Sequence, residues 1–354
     1  MTTTRKTILI TGGAGFIGVN ASHYFLKKGA NVTIFDNFSR KGTETNVKLL
    51  KKEVRGAPGA LRVVRGDVVK DLKALDREAA RADVVIHLAA QVAVTTSIAD
   101  PRVDFETNMI GTFNVLEAIR LSKKKPILLY SSTNKVYGSL PHLPVKDAKT
   151  RHLFVSKRHA TYGVPEHEQL DFHSPYGCSK GAADQYVIDY SRIYGLRTVV
   201  FRQSCIYGPH QFGVEDQGWV AWFTIAVLLD KPITLYGSGK QVRDILSVED
   251  LIRLYDLAIR KIHKVSGQAY NVGGGPKNTI SLIELLAHLE GEMGKQINPR
   301  RAEERAGDQP IFVADVRRLK NELGWEPRTN IADGWRNMYA WISAHREAIH
   351  AVLS

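Results

Sequence analysis

Thr7-Ile8-Leu9-Ile10-Thr11-Gly12-Gly13-Ala14-Gly15-Phe16-Ile17-Gly18 is the stretch whose reading decides the fold. Its first four residues are a short apolar run of β-type side chains, the glycines follow, and an amphipathic segment continues to Lys28. Strand, glycine turn and helix in that order are the setting in which a glycine motif binds a dinucleotide. The glycines permit a tight turn and close backbone approach, and the helix N-terminus offers N–H donors to a pyrophosphate. Two registers fit, Gly13-x-Gly15-x-x-Gly18 and Gly12-x-x-Gly15-x-x-Gly18. The next strand-like run, Val32-Thr33-Ile34-Phe35, ends at Asp36, eighteen residues past Gly18. A carboxylate there accepts from both ribose hydroxyls and repels a 2′-phosphate, which favours NAD over NADP. Arg40 is the nearby residue that would serve a 2′-phosphate instead.

Outward from this start the alternation repeats. Leu61-Arg62-Val63-Val64, then Gly66-Asp67-Val68, reads as a third strand ending on the adenine side. Residues 82–91 read as a fourth strand that runs into Leu88-Ala89-Ala90-Gln91, where small side chains let a cofactor pass close to the backbone. His87 in this run reads as a satisfied core histidine. Residues 107–121 place Val115, Leu116 and Ile119 at helical spacing. Ile127-Leu128-Leu129-Tyr130 is the next strand, and Ser131-Ser132-Thr133 sits at its C-terminal end, where open parallel sheets hold their ligands. Thr198-Val199-Val200-Phe201-Arg202 leads to Gln203-Ser204, and 269–274 is a late strand and turn. This pattern predicts an α/β fold, a Rossmann-like doubly wound parallel sheet, with a smaller mixed α/β substrate-binding part on the C-terminal side. The expected division is an NAD-binding domain over 1–205, with strands near 242–275 returning to it, and a smaller substrate-binding part from 206–241 and 276–354. Between 140 and 171 the alternation breaks, and that His-, Lys- and Pro-rich stretch is expected to run over the active site. Trp219, Trp222 and Phe223 read as core, with a wall against a base or sugar as the alternative. An amphipathic helix is expected over 280–289.

The reactive chemistry lies in Tyr176-Gly177-Cys178-Ser179-Lys180. On a helix, Tyr176 and Lys180 share one face, with Cβ atoms roughly 5–6 Å apart. A free tyrosine, with a pKa of about 10, is a poor base. An adjacent ammonium favours the phenolate and lowers that value. A strand-end hydroxyl such as Thr133 then holds a substrate alcohol against the phenolate. Cys178 lies between the pair and points away from their shared face. Cys178 and Cys205, the only cysteines, read as packing residues, too few for a disulfide framework and without metal-ligand spacing.

The formal net charge is +13 and the chain is 44% hydrophobic, enough apolar residue for a sizeable core. The basic residues are dispersed, and runs such as Lys123-Lys124-Lys125 suit solvated helix ends, so a nucleic-acid partner is not expected. The same charge suits steering of an anionic small molecule such as a nucleoside diphosphate. The start lacks an apolar signal region and no apolar run approaches membrane-spanning length, so a cytoplasmic protein with no membrane partner is expected.

In their order along the chain, Thr11-Gly-Gly-Ala-Gly-Phe-Ile-Gly18, Asp36-Asn37, Tyr130-Ser-Ser-Thr133, Tyr176-x-x-x-Lys180 and Arg243-Asp244 resemble the extended short-chain dehydrogenases/reductases, the nucleotide-sugar epimerases and dehydratases. Phe35-Asp36-Asn37-Phe38-Ser39-Arg40, the stretch from Gln91 to Ser97, Ser131-Ser132-Thr133-Asn134-Lys135 and the long run from Gln169 to Tyr186 look like its CDP-tyvelose (CDP-paratose) 2-epimerase group. The resemblance implies an NAD-dependent isomerase that inverts C2 of a CDP-linked hexose. The sugar is oxidised transiently to a 2-keto form, and the hydride returns to the opposite face. CDP-paratose/tyvelose and CDP-glucose/mannose both remain open. So does a UDP-hexose 4-epimerase, which uses the same machinery on another carbon, and, from a different class, a non-catalytic NAD-binding sensor or structural protein. A 4,6-dehydratase needs an acid next to the strand-end threonine, and here Thr133 is followed by Asn134 and Lys135.

The implied residues follow the motifs. Tyr176 is the base, Lys180 tunes it, and Thr133 orients the reacting hydroxyl. Gly12, Gly15, Phe16, Ile17, Gly18, Asp36, Asn37, Ser39, Arg40, Asp67, Val68, Leu88, Ala89, Ala90, Gln91 and Ser131, with Tyr176 and Lys180, are expected on the cofactor. Gln91, Thr133, Asn134, Ser204, Arg243, Arg305 and Asp308 are expected on the substrate, the two arginines on its phosphates. A homodimer is the family expectation.

Overall fold

The computed structural model describes residues 5–305 and 307–353. Residues 1–4, read above for a signal region, and Ala306 and Ser354 lie outside them. Seven strands form the large sheet: β1 (Thr7–Thr11), β2 (Asn31–Asp36), β3 (Leu61–Arg65), β4 (Val84–His87), β5 (Ile127–Thr133), β6 (Thr198–Gln203) and β7 (Gln268–Val272). All pairings are parallel and the order is β7-β6-β5-β4-β1-β2-β3. The order reverses at β1, which lies between β4 and β2, and a crevice opens outside the strand ends at such a reversal. The inner strands are buried over nearly their whole length because helices cover both faces. One layer buries Ile8, Ile10, Ile86, Leu129 and Phe201, and the other Leu9, Val85, Leu128, Tyr130 and Val200. The edge strand β3 carries exposed Arg62 and Arg65, which blunt it against further pairing.

A smaller sheet builds the second part. Strand Val242–Ser247 pairs with Cys205–Tyr207, Thr279–Ser281 and Ile311–Phe312. Helices Trp219–Leu228, Leu282–Met293 and Ile331–Ala344 pack a separate core around Phe223, Ile225, Leu285, Trp335 and Met338. Of the segment 242–275 expected to return to the large sheet, Gln268–Val272 does so. Val242–Ser247 instead forms the centre of the small sheet, because its partners are all late or crossover strands.

The excursion over 140–171 does not cover the crevice, contrary to expectation. It forms a short antiparallel pair, Val145–Asp147 with His152–Phe154, and then helix Lys157–Tyr162. Its apolar residues Leu140, Phe154 and Val164 pack with Val242, Ile311 and Phe312 on the small sheet. Arg151 fastens it there through Glu284 and Thr279. Helix Ser174–Tyr194 then lies against β5 and β6. Pro175 occupies its first turn, where the missing N–H leaves no helical bond unmade.

Candidate active site

The glycine turn and the ends of β1, β2 and β4 make the first half of a cleft of about 640 Å³. Gly12 sits at φ +66°, and a Cβ there would lie 2.6 Å from the Ala89 nitrogen. Only glycine lets the two turns approach this closely. Helix Phe16–Lys27 begins at Gly15 with no side-chain cap and no acid in its first turn. Its first N–H groups and the positive end of its dipole are therefore free for an anion. Asp36 accepts from the Phe38 nitrogen (2.8 Å) and the Ala14 nitrogen (3.0 Å), which aims its carboxylate along the cleft wall. Burial pushes its pKa up, against those two hydrogen bonds. Asn37 donates to Asp67 (2.9 Å) and so joins the ends of β2 and β3. The open helix end, the glycine cradle and a buried acid lining the same cleft fit a dinucleotide.

The second half brings the reactive residues together. Thr133 ends β5 and its hydroxyl accepts from the Lys135 nitrogen (3.2 Å). Tyr176 and Lys180 point from helix Ser174–Tyr194 toward that strand end, and both are buried. Lys180 Nζ donates to the Ser131 carbonyl at 2.6 Å. The expected lowering of the Tyr176 pKa does not occur in this cleft. Burial pushes Tyr176 up to about 12, and the neighbouring Thr133 hydroxyl only partly opposes the shift. Burial brings Lys180 down to about 7, with Asp184 and Asp104 acting the other way. Loss of water is the largest influence on both residues.

On the far wall Arg243 donates to Asp308 at 2.6 Å, and Lys135 Nζ lies 3.6 Å from the same carboxylate. Burial, reinforced by Arg243, lowers Lys135 to about 8. Arg305 pairs with Asp216 (3.0 Å) and stacks on Tyr236, 3.8 Å from the ring centroid. Asn134 donates to Gln309 (2.8 Å), and Ser204 donates to the Asp244 carbonyl (3.0 Å).

Every site residue predicted from sequence lines this one cleft: those on the glycine turn, Asp36, Asn37, Ser39, Arg40, Asp67, Val68, 88–91, Ser131 and all the substrate-side positions. The side chains of Gln91 and Arg243 are already engaged within the chain, Gln91 donating to Asp104 (3.0 Å). Trp219 and Phe223 are cleft wall as well as core, while Trp222 does not line the cleft. The packing reading fails for Cys178 and holds for Cys205, which packs against the core of the smaller unit and also lines the cleft. Cys178 is exposed, as its place on the helix requires, and Cys205 lines the cleft with Trp219 Nε1 3.4 Å from its sulfur. His87 is the satisfied core residue expected, between the Thr11 and Thr112 hydroxyls at 2.6 and 3.0 Å.

Sequence reasoning missed the support behind the site. Asp104, fully buried, accepts from Ser179 (2.5 Å), Asn108 (3.0 Å) and Gln91 (3.0 Å). Asn108 in turn accepts from the Gln91 nitrogen (2.9 Å). This ties the catalytic helix to the loop after β4. The signal available was Asp104 and Asn108 four apart in an otherwise helical stretch. Asn46 and His210 were also missed. Both line the cleft and join at 3.2 Å, linking two distant parts of the chain.

Residues 9–338 match the family described as GDP-mannose 4,6 dehydratase. The chain belongs to that family. Members of this family and its structural neighbours include epimerases as well as dehydratases. A CDP-paratose 2-epimerase from Salmonella typhi is 44% identical over 344 residues, covering 95% of this chain and 99% of the relative. A dTDP-glucose 4,6-dehydratase from Streptomyces venezuelae, solved with NAD, superposes with a TM-score of 0.82 at 28% identity, covering 98% of this chain and 99% of the other. A UDP-glucuronic acid 4-epimerase from Bacillus cereus, solved with UDP-glucuronic acid and NAD, gives 0.80 at 27% identity over 96% and 99%. The family is enzymatic, and the extended short-chain dehydrogenase/reductase motifs read from sequence are those of this group.

Proposed function

We propose that the chain is an NAD-dependent 2-epimerase of a CDP-linked hexose, of the CDP-paratose/CDP-tyvelose type. The observation that carries the reading is the 44% identity to a CDP-paratose 2-epimerase across nearly the whole of both chains, with Thr133, Tyr176 and Lys180 converging in one cleft. Gly12, Gly15, Gly18 and the open helix end hold the pyrophosphate of NAD, and Asp36 holds its adenosine ribose. NAD, when bound, supplies a reversible two-electron oxidant.

The chain's own residues do the rest. Tyr176 exchanges a proton with the C2 hydroxyl oxygen of the sugar, and Thr133 fixes the direction of that hydroxyl. Lys180 supplies the positive charge that a phenolate needs beside it. Arg243 and Arg305 hold the diphosphate, with Asp308 close to the nucleotide ribose. An elimination step needs an acid beside Thr133; here the next residue is an amide and the one after it a lysine whose Nζ reaches the Gly307 carbonyl (3.1 Å) and Asp308. Holding sugar and base in one geometry accounts for about 7–11 kcal/mol of the barrier.

A cytoplasmic homodimer belongs to the same reading. No helix among the described residues is long and apolar enough to cross a membrane. Helices Gly111–Leu121 and Ser174–Tyr194 expose the apolar side chains Phe113, Leu121, Tyr186, Ile193 and Tyr194, and the proposed two-fold interface uses this face on both copies.

The test is a panel of CDP-, UDP- and GDP-sugars incubated with the purified protein in deuterated water. A C2 epimer of a CDP-hexose with no solvent deuterium at C2 is expected. A C4 epimer, or deuterium at C2, overturns the reading.

A further inference from the structure

Lys180 is buried and carries a formal charge, yet among the described residues no carboxylate lies within ion-pair distance of it. Its Nζ has two near neighbours. One is the Ser131 carbonyl at 2.6 Å, and the other is the ring of Tyr130, whose centroid is 4.3 Å away. We propose that Tyr130 is a positioning residue for the reaction: its ring face holds the Lys180 ammonium next to Tyr176 without adding negative charge there.

The groups facing Lys180 from the surrounding elements make this arrangement intelligible. On its own helix, Asp184 is committed to Arg202, with two contacts of 3.0 Å, and to the Ser132 hydroxyl at 2.8 Å. From helix Pro101–Phe105, Asp104 is satisfied by Ser179, Asn108 and Gln91. From β4, His87 stacks beneath Tyr130 at 5.7 Å and 29°. Burial holds His87 neutral, with a pKa of about 3, so it does not compete for the ring as a second cation. Tyr176 is the remaining titratable neighbour. A carboxylate in direct contact would hold the ammonium more firmly, but the same charge would oppose the phenolate. Asp104 already acts on Tyr176 in that direction from a distance. An aromatic face attracts a cation through its quadrupole and has no net charge. The Tyr130 hydroxyl is buried beside Thr112, and it is the ring face that meets the ammonium.

Lys180 is expected to titrate lower when the ring is lost, by about half a pH unit to one and a half, the range of cation–π attractions expressed as a pKa shift. The midpoint is read directly by carbon NMR of the full-length protein carrying lysine labelled at Cε, with the Lys180 signal assigned by its loss in Lys180→Arg. Tyr130→Phe keeps the ring and is expected to keep the native midpoint. Tyr130→Met keeps bulk without the ring and is expected to lower it, and to move the alkaline limb of the kcat profile down by the same amount. Equal Lys180 midpoints in the two variants overturn the proposal. If Tyr130→Met does not fold, fluorinated phenylalanines at position 130 weaken the ring face stepwise at nearly constant volume. A stepwise fall of the midpoint supports the proposal, and a flat series overturns it. The catalytic importance of Lys180 rests on the epimerase reading, but the lysine titration needs no turnover, so the two ideas fail separately.

Discussion

His87 sits at the C-terminal end of β4 with both ring nitrogens bonded to threonine hydroxyls, and burial holds its pKa at about 3 against an ordinary 6.5. The unfolded chain therefore takes up this proton first. Its contribution to stability is complete above pH 6.5 and is lost progressively as the pH falls from there toward 3. Between pH 7.5 and pH 5 the native protein is expected to lose about 2 kcal/mol more than His87→Gln, measured by urea denaturation at both pH values. Tyr176→Phe is expected to lower kcat by about 10²–10⁴ while CDP still binds, as measured by steady-state kinetics and calorimetry. At this scale the sequence was most legible where a residue type has one chemical use. Tyr176, Lys180 and Asp36 could be assigned from spacing and position. The direction of the Tyr176 shift could not, because it depends on how much water three elements exclude. Asp104 was legible as one of a polar pair with Asn108 but not as a buried support, for a related reason. Its role comes from Ser179, seventy-five positions away, and an acid in a helix gives no sign of being buried.

The strands and the long catalytic helix follow from local pattern, since β-branched apolar runs and flanking glycines repeat at regular intervals. Thus the glycine turn is both readable and demanding. A Cβ on Gly18 would lie 2.5 Å from the Gly13 Cα, a backbone atom that cannot move aside alone. Gly18→Ala is expected to destabilise the protein by about 1–3 kcal/mol and to weaken NAD binding at least tenfold, measured by urea denaturation and by fluorescence titration. The pair Val145–Asp147 and His152–Phe154 shows the opposite case. Its residues are mostly exposed, and it exists because Phe154 and Arg151 find partners on a sheet completed more than a hundred residues later. A local reading of His, Lys and Pro there could only report a break in pattern. The strand Val242–Ser247 was recognised as a strand but assigned to the wrong sheet, since neighbours across a sheet leave no trace in a single run of residues.

Across the whole molecule, two packing units meet along one cleft, the larger offering an open helix end and the smaller a set of side chains already paired. The exposed face on helices Gly111–Leu121 and Ser174–Tyr194 carries Ile193 at 67% and Leu121 at 70% exposure, an apolar patch of the kind that marks an interaction surface. Ile193→Lys combined with Tyr194→Glu is expected to convert a dimer to a monomer, read by sedimentation equilibrium, and a native monomer would sink the homodimer reading. The pairing on the smaller unit has its own consequence. Arg243 and Lys135 both lie against Asp308 before any nucleotide arrives. In the proposed binding mode, a diphosphate reaching Arg243 therefore swaps one anionic partner for another, as on an ion-exchange resin, instead of discharging a bare cation. Added salt weakens the old pairing along with the new one, so CDP affinity measured by calorimetry is expected to change less than threefold between 50 and 300 mM salt, where two free surface cations would give a steeper fall (~tenfold or more). The enzyme's grip on its nucleotide is then nearly insensitive to the ionic strength around it.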